Sequence, residues 1–423
     1  MKEFKTITPE QLLPLVQAVF KRKVDWERCL ILYDKIHWFS TFKKNQDEQG
    51  AEICISYLRS ILGGKDKAKI IINKMKEIGV IKCKSKLKIN SNGQRYESET
   101  YRPGETAKKY LIRDEFLLTP QNKRVRYVTE RLNLKALNRA FDKKTFTSKL
   151  YLPNFEHVWV NLGNVGIDID RAVEFIKSNF KEIKPWRYSQ YILSLAKIDE
   201  QCIDVLRGSN GRLITTLTNL KKEFRQFLYD RVDDKYDFNE VDISNSQPLF
   251  VSIYLEKHYP VVLAESDFLK WKELCQTGKI YEFLATELKY DREFIKDRFM
   301  DVILFTAKNK TYLLQNKKWN NENQCKRNFI TKFIELFPTI WDILLRIKND
   351  IGNREFAKRI QRMESELMID TVLLELNEIG THFSIHDSIV CRTYDIEYIS
   401  EQIRQAFKIN HGYHVSLKIK QLY

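Results

Sequence analysis

The chain has 423 residues, enough for two or three domains each with its own core, and its 43% apolar and 12% aromatic content excludes a disordered polypeptide. The 72 Lys and Arg against 56 Asp and Glu give a formal charge of +16, which favours a polyanionic partner because each neutralised phosphate releases condensed counterions. No apolar run approaches the ~18 residues needed to span a bilayer, and the start Met1-Lys2-Glu3-Phe4-Lys5 lacks the basic-then-apolar layout of a signal peptide. A cytoplasmic protein without a membrane partner is expected.

Residues 1–50 read as a helical segment, with apolar clusters such as Leu12-Leu13 and Leu30-Ile31-Leu32 between charged turns. Residues 51–115 predict a basic, winged-helix-like module. A short helix over Ile53–Leu62 stops at Gly63-Gly64, and a second carries Ile71, Met75 and Ile78 on one face and closes at Gly79. An extended stretch then begins at Val80-Ile81, alternates through Leu87 and Ile89, turns at Asn90–Gly93 and returns near Lys109–Ile112. Lysines 65, 67, 69, 74, 76, 82, 84, 86 and 88 crowd this module, as a solvated face or a nucleic-acid contact. Residues 116–204 are expected to be a mostly helical, thumb-like region.

The seven cysteines are scattered without a Cys-x-x-Cys pair, so neither a zinc ribbon nor a disulfide framework is predicted. His411 and His414 are two ligands, too few to close a metal site.

The chemistry concentrates after residue 205. Phe238–Ile243 predicts a short strand with Asp242 at its end, followed by a polar turn and an apolar helix. The Asp242 carboxylate with the Ile243 backbone carbonyl forms a hard-oxygen site suited to Mg²⁺. Farther on, Phe383 and Ile385, then Ile389 and Cys391, flank a tight His386-Asp387-Ser388 turn, which reads as a β-hairpin with Asp387 at its tip. A helix through Ile396, Ile399, Ile403 and Phe407 and a strand with Val415, Leu417 and Ile419 complete a sheet with helices behind it. Two carboxylates on different strands are what two-metal phosphoryl chemistry requires. Between them Arg292 and Lys296 share a helix face at a spacing of four, and Lys308, Lys310, Lys317, Lys318, Lys326 and Arg327 form a basic stretch suited to a strand backbone.

At these residues the sequence resembles the palm and fingers of family A DNA polymerases and single-subunit phage-type RNA polymerases, over roughly residues 205–423. Asp242-Ile243-Ser244-Asn245-Ser246-Gln247 matches the first aspartate motif and His386-Asp387 the last. The resemblance implies an α+β, right-hand polymerase with an antiparallel palm sheet and helical fingers at about 265–350. Asp242 and Asp387 would be catalytic and, with Ile243, would bind two Mg²⁺ or Mn²⁺ ions. Arg212 (in Gly211-Arg212), Gln247, Arg292 and Lys296 would meet the nucleotide. His386 and Ser388 would support the turn, and Gln361 and Arg362, on a helix over Phe356–Leu376, would contact nucleic acid with Lys308 and Lys310. The implied partners are nucleoside triphosphates and a primer-template, DNA or RNA.

The sequence also departs from the DNA polymerase pattern. Gln247 stands where those enzymes carry a Glu that screens the sugar 2′-hydroxyl. Ser388 follows the last Asp as in the RNA polymerases, and Leu304-Phe305 replaces the Tyr-Gly that ends the fingers helix. A DNA-templated DNA polymerase is expected, with RNA synthesis, template-independent extension and a non-catalytic, replication-initiator-like DNA-binding protein as alternatives.

Overall fold

The computed structural model describes residues 4–41, 49–89, 94–98, 107–128, 156–202, 205–300, 303, 321–377 and 379–422. Helices alternate with small antiparallel sheets, an α+β arrangement. Lys308, Lys310, Leu304-Phe305 and the turn Asn90–Gly93 lie outside the described residues, and no described helix is long and apolar enough to cross a membrane.

The first strand, β1 (Phe4–Pro9), corrects the expectation of an all-helical start: it pairs antiparallel with a strand far along the chain. Thr6, Ile7 and Thr8 are all buried, so both faces of this strand are covered and its sequence shows no alternation of apolar and polar faces. So short a run reads as a strand only once its partner is known. Helices Leu12–Val19 and Lys23–Thr41 follow. The helix expected from Ile53 begins at Ile55, because β2 (Ala51–Cys54) takes the preceding residues into a sheet.

The left-handed Gly63 (φ +89) ends helix Ile55–Leu62, and helix Lys65–Glu77 buries Ile71, Ile72 and Met75. Then come β3 (Ile81–Cys83), β4 (Lys86–Ile89), β5 (Arg95–Ser98) and β6 (Ala107–Ile112). β6 lies between β2 and β3, while β4 and β5 form a separate hairpin. Lys65, Lys67, Lys69, Lys82 and Lys84 are exposed on this module, whereas Lys74 is 2.7 Å from Glu77.

β7 (Lys123–Val128) is the partner of β1, and β8 (Val165–Ile167) pairs with β11 (Leu228–Asp230). Helices Glu156–Asn164, Ile169–Asn179 and Pro185–Asp199 surround β8. β9 (Val205–Arg207) and β10 (Leu213–Thr215) form a hairpin closed by Gly208–Arg212.

The largest sheet has the order β13 (Phe383–Ile385), β14 (Ser388–Arg392), β12 (Phe238–Ile243), β15 (Leu417–Gln421), all antiparallel. Side-chain alternation sorts its faces. Val241, Ile243, Ile389 and Cys391 point into a core shared with helices Ser246–His258 and Ile396–His411. Phe238, Phe383, Ile385 and Val390 join a second core built largely from residues 158–228. Helix Ser246–His258 is buried from Ser246 to Leu255, which explains its apolar, unstriped sequence. The long helix expected over Phe356–Leu376 is instead Asn353–Leu367, a π-turn over Met368–Val372 and a last turn over Leu373–Glu375.

Helices Ser266–Gln276 and Ile280–Leu288 are joined through Gly278 (φ +73). A Cβ there would lie 2.8 Å from Ser244 Cβ and 3.1 Å from Ser416 Oγ, the residues that follow β12 and precede β15. Gly278→Ala therefore adds both φ strain and a collision. It is expected to destabilise the fold by about 1–3 kcal/mol, read as a lower midpoint in denaturant unfolding.

Candidate active site on the antiparallel sheet

The site begins with β12, one of the two interior strands of the sheet and bonded to β14 and β15. Asp242 stands opposite Ser388 of β14 and opposite Lys418 of β15. Since every second side chain shares a face, Asp242, Glu240, Ser388, Lys418 and Lys420 project together, away from the helices behind the sheet. Asp387 enters from the two-residue turn between β13 and β14. In that turn His386 holds φ +59, a left-handed conformation usual for glycine. A non-glycine residue there is a strained position kept by its surroundings, as commonly found at functional sites. Asn245, at φ +58, makes the corresponding sharp turn from β12 into helix Ser246–His258. Its buried amide and the Ser244 hydroxyl make no hydrogen bond.

Burial and the neighbouring Asp387, then Glu240, push the Asp242 carboxyl up to about 7, against the opposing charges of Lys296 and Lys418. Two carboxylates held within electrostatic reach of each other, with no ion pair to either among the described residues, form a set that a divalent cation would relieve. Among the described residues no group of three or more His, Cys, Asp or Glu side chains could hold a metal ion. Carboxylates and backbone carbonyls are hard-oxygen donors of the kind Mg²⁺ takes when water completes its shell.

Glu364, which the sequence reading missed, is the polar centre behind this pair. It is fully buried on helix Asn353–Leu367. It accepts hydrogen bonds from Arg212 Nε at 2.7 Å and Ser246 Oγ at 2.7 Å, and also from the Gln247 amide. Burial and Asp387 raise its carboxyl while Arg212 pulls it down. Arg212 and Gln247, both expected at the nucleotide, are therefore tied together by one carboxylate. The signal for Glu364 was a charge on an apolar face, four after Ile360 and three before Leu367.

The remaining expected residues divide. Gln361 Oε1 accepts from Asn210 at 3.0 Å and Arg362 Nε donates to the Ser209 carbonyl at 3.1 Å, so both brace the β9–β10 turn. Gly211 (φ +82) lets that turn approach Ser365. Ser388 is buried and donates to Glu240 Oε1 at 2.7 Å. Lys296 is exposed, and its charge reaches Asp242. Arg292, at the same helix face, is held by Glu282 and Glu293 at 2.5 Å each.

Two outcomes follow from this electrostatic arrangement. The Asp242 carboxyl titrates near 7 in the fold against about 3.9 in an unfolded chain. Its ionisation therefore lowers stability progressively as pH rises from about 4 to about 7, and the penalty is complete above that. Metal-free Asp242→Asn is expected to melt above the wild type at pH 8 and to lose the advantage toward pH 4, as thermal denaturation in chelator would show. Glu364→Ala leaves Arg212 without its buried partner and is expected to cost about 3–5 kcal/mol in urea unfolding, with Glu364→Gln less damaging.

No protein-family model and no curated protein matches the chain. Among solved structures it is similar to the POL domain of Pol1 from M. smegmatis in complex with DNA primer-template and dNTP, at 11% identity and a TM-score of 0.35. That likeness covers 60% of this chain and 55% of that one, so the chain spans little more than half of the structure it matches. The reading of the site rests on its own geometry.

Proposed function

We propose that the chain is a nucleotidyltransferase of the DNA polymerase type, extending a 3′-hydroxyl along a template with nucleoside triphosphates. The observation that carries this reading is the approach of Asp387, in the β13–β14 turn, to Asp242 on the adjoining strand β12, with the Asp242 carboxyl raised by burial and by Asp387. In this reading both carboxylates and the Ile243 carbonyl hold two divalent cations. Those ions would supply activation of the attacking hydroxyl and stabilisation of the phosphoryl charge. Asp242 and Asp387 would position the cations; Lys296 meets the phosphates; Gln247 and Arg212, fixed through Glu364, line the nucleotide's other side. His386 and Ser388 hold Asp387 in its turn. Residues 205–423 form the palm and fingers, 116–204 a thumb-like region, and the exposed lysines of 51–115 contact the nucleic acid. Gln361 and Arg362 act on the template side through the β9–β10 turn.

Gln247 is the observation favouring ribonucleotides as alternative substrates, because its amide is bonded to Glu364 and is not free to project against a 2′-hydroxyl. Incorporation of labelled dNTPs and rNTPs on primed, unprimed and template-free substrates tests the reading. Asp242→Asn and Asp387→Asn are each expected to reduce incorporation by at least ~10³-fold while the protein stays folded by circular dichroism. Unchanged incorporation in either variant would remove that residue from the mechanism. A wild type inactive on every substrate with Mg²⁺ or Mn²⁺ would leave a DNA-binding protein.

A further inference from the structure

Arg292 and Lys296 were the cations expected to receive the nucleotide's phosphates, but their situations differ. Arg292 is held by Glu282 and Glu293, whereas Lys296 is exposed and makes no ion pair among the described residues. A second exposed lysine, without an ion pair among the described residues, stands beside the carboxylates. Lys418 lies on the edge strand β15, directly opposite Asp242 and on the same face of the sheet. Its charge reaches Asp242 on one side and Glu282, the carboxylate that holds Arg292, on the other. Lys418 therefore stands near the start of β15, where Ser416 packs against Gly278 just before helix Ile280–Leu288, which carries Glu282.

We propose that Lys418 is a phosphate-binding residue of this site and, with Lys296, clamps the triphosphate of the incoming nucleotide from the sheet side. This rests on the nucleotidyltransferase reading above and deepens it. Charge supplies the reason. A triphosphate beside two cation-holding carboxylates brings several negative oxygens, and lysines act on such groups as point charges. Lysine on an edge strand commonly serves only to discourage pairing with another strand. Lys420, one register step away and opposite Glu240, has that same edge position without facing Asp242. It provides the comparison.

The test measures steady-state incorporation and equilibrium binding in the full chain carrying Lys418→Gln, Lys418→Arg or Lys420→Gln. Lys418→Gln is expected to raise the nucleotide KM about tenfold, the loss of one charge-assisted contact. The KM for primer-template should not move. Lys418→Arg should recover most of the affinity, and Lys420→Gln should stay near the wild type. In calorimetry with Ca²⁺ in place of Mg²⁺, Lys418→Gln should weaken ATP or dATP while leaving AMP unchanged.

An unchanged nucleotide KM in an active Lys418→Gln enzyme overturns the inference and leaves the polymerase reading standing. A rise in primer-template KM instead assigns Lys418 to the strand backbone and also overturns it. An equal loss in Lys420→Gln reduces the effect to general surface charge. A wild type that incorporates nothing but binds ATP or dATP through Lys418 removes the polymerase reading alone, and one that binds neither removes both.

Discussion

Like charges held close in a partly buried site repel, and the Asp242–Asp387 pair puts that constraint at the centre of this molecule. Lys296 and Lys418 offset part of that repulsion at Asp242, but among the described residues neither carboxylate forms an ion pair, so the fold itself must hold them. It does so with β12 hydrogen-bonded on both sides, which fixes the register of Asp242, and with a hairpin turn too short to let Asp387 swing away. The left-handed backbone at His386 and Asn245 shows that both chain reversals at the site depart from the easiest conformation. Such strain persists only where surrounding packing over-determines it. Here the surroundings are two hydrophobic cores, one on each face of the sheet.

Glu364 solves a related problem on the other side of the carboxylates. Arg212 and Gln247 come from a hairpin and a helix with no backbone connection between them, and one buried carboxylate accepts from both. The β9–β10 turn is further fixed by Arg207 against Asp370, in two parallel bonds of 2.6 and 2.7 Å. Side chains arranged in this way lose little conformational freedom when a ligand arrives, which is the physical meaning of preorganisation.

Charge is organised differently away from the site. Arg392, almost fully buried, gathers Asp230, Asp233 and Asp237 where β14 leaves the sheet, and Lys197 pairs with buried Asp34 at 2.9 Å between two helices. Those cations are consumed inside the molecule. The excess that favours a polyanion is carried by exposed lysines such as those of helix Lys65–Glu77 and of β15. Net charge alone did not distinguish the two populations.

The sequence by itself determined the local devices of the site. Strand-like residues ending in Asp242, the polar turn into an apolar helix, the tight His386-Asp387 turn and the helix over Ile396–His411 all follow from short-range pattern and turn chemistry. Only the tertiary structure decided what these devices face. Strand β1 escaped notice because its partner lies more than a hundred residues away. Arg292 and Lys296 looked equivalent at a helical spacing of four, yet acidic neighbours occupy one and not the other. Glu364 and Lys418 drew no expectation from the sequence, because their roles depend on how the helix docks and how the strands take register. Periodicity specifies which side chains share a face, whereas burial, ion pairing and charge proximity depend on distances between segments remote in the chain.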